Sequence, residues 1–130
     1  MMNIGADDMN GDDRTNRDLR ERTKAFALRI IRLFSALPRS PAAKVLGGQV
    51  LRSGTSVGAH DREAGRLRSV AEFISKIEGG LQELDETAYW LELLVESQIV
   101  SSNKLDDLRK EADELLAIFT ASVKTAEKNR

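Results

Sequence analysis

The sequence predicts an all-α fold, an antiparallel up-down four-helix bundle. Apolar residues recur at spacings of three, four and seven through four separate segments, the period of a helix with one buried face. Only two prolines, Pro38 and Pro41, occur in 130 residues, and both fall at the first junction between segments. No stretch alternates apolar and polar residues as a half-buried strand would. The connections are short, so consecutive helices should lie side by side and antiparallel.

Taken in order, Met1 to Asp13 is polar and acidic and reads as a disordered tail, leaving 14–130 as one bundle domain. The first helix is expected near Thr15, where Thr15 and Asp18 resemble a capping box. Leu19, Phe26, Ile30, Leu33 and Leu37 form its apolar stripe, and Ile31 and Phe34 are expected to widen it. Pro38 ends it by restricting the residue before it. Ser40-Pro41 starts the second helix, with serine as N-cap and proline in the first turn. Leu46, Val50 and Val57 mark its apolar side. Gly47, Gly48, Ser53, Gly54, Thr55, Ser56, Gly58 and Ala59 make its middle unusually small. Each helix-interior glycine costs about 1 kcal/mol, so such a run reads as a close-packing surface, the alternative being an interrupting loop. Ser69 to Glu72 is a capping box for the third helix. Val70, Phe73, Ile77, Leu81, Leu84, Ala88, Leu91 and Leu94 follow at spacings of three and four. Gly79-Gly80 either weakens that helix or marks another close approach. A connector around Ile99 to Ser102 leads to the fourth helix near Asn103, whose stripe is Leu105, Leu108, Ala112, Leu115, Phe119, Ser122 and Ala126.

Composition excludes several classes of function. With no cysteine, disulfides, thiolate zinc sites and iron–sulfur clusters are ruled out. No apolar run approaches the roughly 20 residues of a membrane span, and the first residues lack the plan of a secretory leader. The expectation is a cytoplasmic protein. The net charge of −1 conceals a split. Residues 1–13 carry −4. Residues 14–68 hold thirteen basic and four acidic residues, giving +9, and residues 69–130 hold seven and thirteen, giving −6. Either the halves neutralise one another, within the fold or between subunits, or the basic half meets a polyanion.

The chemistry of catalysis is sparse. Di-metal bundles need paired Glu-x-x-His motifs, and this chain has one histidine, His60, with Val57 three residues before it. His60 reads as a surface or partly buried residue. Ser53, Thr55 and Ser56 stand near it without an elbow motif. Gly54 to Gly58 lacks the lysine and the preceding strand of a phosphate loop. No catalytic, metal or cofactor site is expected, and the protein is expected not to be an enzyme. Arg29, Arg32, Arg52, Arg62, Arg66 and Arg68 form a candidate phosphate-contacting set, because the guanidinium fork donates paired bonds. The competing reading is salt bridging to the acidic third and fourth helices. Tyr89-Trp90, off the centre of the inward stripe, is a candidate interface anchor or simply flank packing. A helix-turn-helix reading of Gly54 to Gly65 conflicts with the helix start at Ser69.

The run Leu51-Arg52-Ser53-Gly54-Thr55-Ser56-Val57-Gly58-Ala59 leads into Arg62-Glu63-Ala64. Glu72-Phe73-Ile74-Ser75-Lys76 follows, then Glu83, and then Glu86-Thr87 with Tyr89-Trp90-Leu91-Glu92-Leu93-Leu94. Together these resemble the four-helix-bundle family first noticed as proteins encoded within intervening sequences of bacterial 23S ribosomal RNA genes. The resemblance spans about residues 20–125. It implies an antiparallel four-helix bundle that assembles as a homopentamer. It also implies kinship with accessory proteins of retroelements, which engage a reverse transcriptase and nucleic acid through basic surfaces. The candidate RNA- or DNA-binding residues are then Arg29, Arg32, Arg52, Arg62 and Arg66, and the candidate subunit interface is Gly54, Gly58, Tyr89 and Trp90. Two functions are expected from this: an oligomer that binds nucleic acid or scaffolds through a basic surface, or an interaction module that assembles without nucleic acid.

Overall fold

A computed structural model describes the backbone of residues 11–67 and 69–130, with side chains from residue 17 onward except at 68. Four helices follow one another: α1 Gly11–Ala36, α2 Pro41–Ala64, α3 Val70–Glu96 and α4 Ser102–Lys128. α1 begins four residues before the expected start, so Thr15 lies inside the helix and does not cap it. Gly11 to Asp13, expected in the tail, are helical, and residues 1–10 lie outside the described residues. α2 starts as predicted, with the Ser40 hydroxyl accepting from the Ala43 N–H at 3.2 Å. α3 likewise starts at Ser69, whose hydroxyl accepts from the Glu72 N–H at 3.1 Å. α2 runs unbroken through its glycines, which removes both the loop and the helix-turn-helix readings.

Contacts between the helices fix the antiparallel order. Along α1 and α2, Thr23 faces Gly58, Ile30 faces Gly54, and Leu37 faces Gly47. Along α2 and α3, Ser53 meets Thr87 and Glu63 meets Lys76. Phe119 of α4 lies against Gly80 of α3, and Arg22 of α1 reaches Glu111 of α4 at 2.6 Å. Consecutive helices pair along their length, whereas α1 and α4, which close the ring, meet only sparsely.

The core follows the predicted stripes. Phe26, Ile30, Val50, Val57, Leu84, Leu91, Leu94, Leu115 and Phe119 are fully enclosed. The small residues of α2 serve close approach within the chain. A Cβ on Gly54 would stand 2.7 Å from Ile30 Cγ1, inside any tolerable contact. Gly79 and Gly80 do the same for α3: a Cβ on Gly79 would meet the His60 ring at 2.7 Å, and one on Gly80 would meet Phe119 at 2.5 Å. The stripe of α1 is narrower than predicted. Ile31 and Phe34 are 42% and 40% exposed: Ile31 sits about 100° round the helix from Ile30, and Phe34, on the same side as Ile30, lies at the flank over Gly47 of α2. Val70, at the first position of α3, is also exposed.

Three hydroxyls complete the core: Thr23, Ser53 and Thr87. Each lies within hydrogen-bonding distance of a carbonyl oxygen one turn earlier: Arg20, Gln49 and Glu83 respectively. Thr87 Oγ1 also stands 2.8 Å from Ser53 Oγ. Burial of these polar groups is therefore compensated locally.

Candidate functional site

The six arginines singled out in the sequence do not form one surface. Arg52 is engaged by α3, with Nη2 2.6 Å from Glu86 Oε1 and Nη1 3.4 Å from Glu83 Oε1. The hydrogen bond to Glu86 raises its pKa, so its charge is fixed and already answered. Arg62 and Arg66 lie at the C-terminal end of α2, exposed. Arg62 lies in the field of Asp61, and Arg66 in that of Glu63. The side chain of Arg68 lies outside the described residues. Arg29 and Arg32 lie on α1, level with Gly54 and beyond, roughly 15 Å along the bundle from Arg62. Among the described residues these two make no side-chain ion pair and no side-chain hydrogen bond.

Arg29 and Arg32 are brought to the rim of a cleft of about 490 Å³. It opens where α1 ends and α4 begins, at the seam where those helices diverge. Leu33, Leu37, Leu105 and Leu108 form its floor, and Lys104 stands across from the arginines. Ile99 and Val100 close one side. They are placed by the end of α3. There the Ile99 N–H donates to the Leu94 carbonyl at 3.1 Å and the Gln98 N–H to that of Val95 at 2.9 Å. That is the Schellman arrangement, and its left-handed position is Gln98 at φ 65°.

The residues expected at a subunit interface are distributed differently. Gly54 is buried under Ile30, and a Cβ on Gly58 would lie 3.3 Å from Thr23 Oγ1. Both therefore serve the α1–α2 contact within one chain. Trp90 is half-buried against the core. Its Nε1 is enclosed without a partner. Tyr89 is 53% exposed, with its ring centroid 5.2 Å from that of Trp90. Tyr89 borders a smaller cleft of about 250 Å³ between α3 and α4, with Glu92, Arg109 and Asp113. Among the described residues, the other large apolar side chains left exposed are Leu28, Ile31 and Phe34 on α1, Val45 on α2 and Val70 at the start of α3.

His60 lies against the Gly79-Gly80 pair, and its Nδ1 is buried without a partner. Its neighbour Asp61 is half-buried, and burial pushes its carboxyl up to about 6 against the opposing fields of Arg20 and Arg62. Among the described residues, no three His, Asp or Glu side chains converge on a point where a metal would sit. No helix is long and apolar enough to cross a membrane.

The cleft was only partly visible in the sequence. The Arg29–Arg32 pair was. Lys104, Ile99 and Val100 were missed, since nothing in the spacing says which helix closes on α1. The one local signal was the start of α4, Ser101-Ser102-Asn103-Lys104, which has no acid in its first turn.

Residues 16–121 match the family model described as 23S rRNA-intervening sequence protein. No curated protein matches the chain. Among solved structures, it is similar to the crystal structure of a protein with unknown function from the S23 ribosomal protein family of Bacteroides thetaiotaomicron. The two are 33% identical with a TM-score of 0.80, over 85% of this chain and 98% of that one.

Proposed function

The chain belongs to the 23S rRNA-intervening sequence protein family, and we propose that within it this protein acts as a non-enzymatic, self-associating helical scaffold. The observation that carries this reading is the outward apolar stripe of α1. Leu28 and Ile31 are 44% and 42% exposed, and Phe34, 40% exposed, borders them from its place over Gly47 of α2. An apolar face on a helix whose opposite face is already in a core is a place for another body. The charge split supports a second copy as that body, since a basic α1–α2 half complements an acidic α3–α4 half. The homopentamer implied by the resemblance is the state we assign.

Nucleic-acid binding is the less favoured role. A backbone-tracking surface needs a run of free cations. Here Arg52 is paired, and the remaining arginines are divided between two ends of the bundle. The non-enzymatic part of the proposal draws on His60, whose ring is packed on two glycines rather than presented to a nucleophile.

Sedimentation equilibrium at micromolar concentration, with the 260/280 nm absorbance ratio of the same sample, tests both parts. The expected result is an oligomer free of nucleic acid that falls apart when Ile31 and Phe34 are both replaced by glutamate. A wild-type monomer would overturn the proposal. Co-purifying nucleic acid released by salt would favour the binding role instead.

A further inference from the structure

The cleft between the end of α1 and the start of α4 has a chemistry that the scaffold role does not use. Its volume, about 490 Å³, lies within the range of small-ligand sites. Its lining is mainly of two kinds, with Ala36, Pro38 and Ser101 completing it. The floor is aliphatic: Leu33, Leu37, Leu105 and Leu108, with Ile99 and Val100 beside them. The rim is cationic, with Arg29 and Arg32 on one side and Lys104 on the other. No carboxylate and no aromatic ring lines it.

Elsewhere on α1 and α2, two cations are answered by carboxylates of a neighbouring helix. Arg22 holds Glu111 and Glu114, and Arg52 holds Glu83 and Glu86. Among the described residues, the three at the cleft have no such partner. The start of α4 adds to their field. Ser101, its N-cap residue, makes no side-chain cap bond, and no acid stands in the first turn. The first N–H groups therefore keep their positive potential. The nearest acid on that helix, Asp106, is 3.4 Å from the Ser102 hydroxyl and does not line the cleft.

We propose that this cleft binds aliphatic carboxylates, with the hydrocarbon on the leucine floor and the carboxylate among Arg29, Arg32 and Lys104. The lining decides between anions. A nucleotide would bring a base that needs a stacking face and donors or acceptors along its edge. The lining offers no aromatic ring, and Ser101 is its one uncharged polar residue. Methylene groups need only aliphatic contact, worth roughly fourfold in affinity for each one fully buried. The carboxylate takes paired bonds from a guanidinium. Two sources share this chemistry: a free medium-chain acid, and the C-terminus of a protein ending in aliphatic residues.

The test is calorimetric titration of the full chain with decanoate and hexanoate below their micelle concentrations. Two peptides ending in Leu-Val, one with a free carboxylate and one amidated, form the second arm. Decanoate or the free peptide should saturate one site per chain, and the tighter of the two identifies the source. Decanol or the amidated peptide should bind at least tenfold more weakly, and hexanoate more than tenfold more weakly than decanoate. The double substitution Arg29→Gln, Arg32→Gln should weaken binding at least tenfold. Lys104→Gln on the other helix gives a second reading should the double variant fold poorly. The proposal is overturned if neither carboxylate binds or if decanol matches decanoate. It is equally overturned if Lys104→Gln and the arginine variants leave affinity unchanged, or if a ten-nucleotide RNA displaces decanoate. Self-association plays no part in these outcomes, so failure here leaves the scaffold role standing.

Discussion

Two glycines of α2, six residues apart, should respond in opposite directions to the same substitution. At Gly48 a Cβ would meet nothing within 4 Å. Gly48→Ala therefore gains helix propensity alone, about 1 kcal/mol, or roughly 4 °C in Tm for a domain of this size. At Gly54 the same gain is opposed by Ile30, whose Cγ1, Cγ2 and Cδ1 would lie 2.7, 3.0 and 3.2 Å from the new carbon. Ile30 is fully buried and β-branched, so it has no easy rotamer to retreat into. Overpacking of this kind costs about 1–3 kcal/mol, leaving Gly54→Ala neutral to about 2 kcal/mol destabilising. Ile30→Ala alone should cost about 2–5 kcal/mol. Because it removes all three contacting atoms, Gly54→Ala should stabilise in that background. The coupling between the two sites is then about 1–3 kcal/mol, within the range for residues in contact. Urea denaturation followed by circular dichroism, at one fixed protein concentration because association shifts stability, measures all four states. Gly54→Ala as stabilising as Gly48→Ala, or additive with Ile30→Ala, would refute the close-approach argument.

Three further outcomes are expected. Burial raises the Asp61 carboxyl to about 6, above the ordinary aspartate value of about 4, so between those pH values the native state holds a proton that the unfolded chain has released. Its cost is absent below about pH 4, grows between pH 4 and 6, and is fully present above 6. Asp61→Asn should therefore stabilise by on the order of 1 kcal/mol at pH 7, discounted for partial exposure, and by almost nothing at pH 3.5. A pH-independent difference in unfolding free energy would contradict this. Gln98→Gly should stabilise by about 0.5–1 kcal/mol, since Gln98 occupies φ 65° at a position where glycine carries no Cβ penalty. A loss of thermal stability would show that the glutamine side chain has a role of its own. Glu111→Gln should cost about 1 kcal/mol by removing a two-point contact, with Arg22 Nη2 at 2.6 Å and Nε at 3.1 Å. That cost should shrink in 1 M salt as screening weakens the bridge.

Periodicity made the four helices legible, because the burial of one face per helix is what organises this core. Phe26, Ile30, Leu84, Leu91 and Phe119 could be assigned inward from spacing alone. Spacing failed where two apolar residues compete for one face. Ile30 and Ile31 are a third of a turn apart, and packing against Gly54 decides for Ile30. It also failed for Thr23, Ser53 and Thr87, whose hydroxyls look wrong for a core until their bonds to the preceding turn are counted. Gln98 conceals a helix stop normally announced by glycine. The small residues of α2 were legible as a close-packing surface, but not which helix would use it. The arginines carried the same ambiguity: composition gave their charge, and only the fold paired Arg52 with Glu86 and left Arg29 unpaired.

The second half of α1 is asked to do three things at once, and helical geometry lets it. Phe26, Ile30 and Leu33 face the core, while Arg29, Arg32 and Ala36 face the cleft beside α4. Leu28 and Ile31 face outward, with Phe34 at the flank over Gly47 of α2. At 100° per residue these sets occupy roughly a third of the circumference each. A helix paired fully on both sides would have no free face for ligand. Here the sparse closure between α1 and α4 supplies one, and the Arg22–Glu111 bridge holds that seam together further along. Because the charged rim and the outward residues lie on different sides of α1, loss of the outward residues should leave the cleft intact, and neutralising its arginines should leave assembly intact. A protein built this way can hold a small anion and a neighbouring subunit on the same helix without either displacing the other.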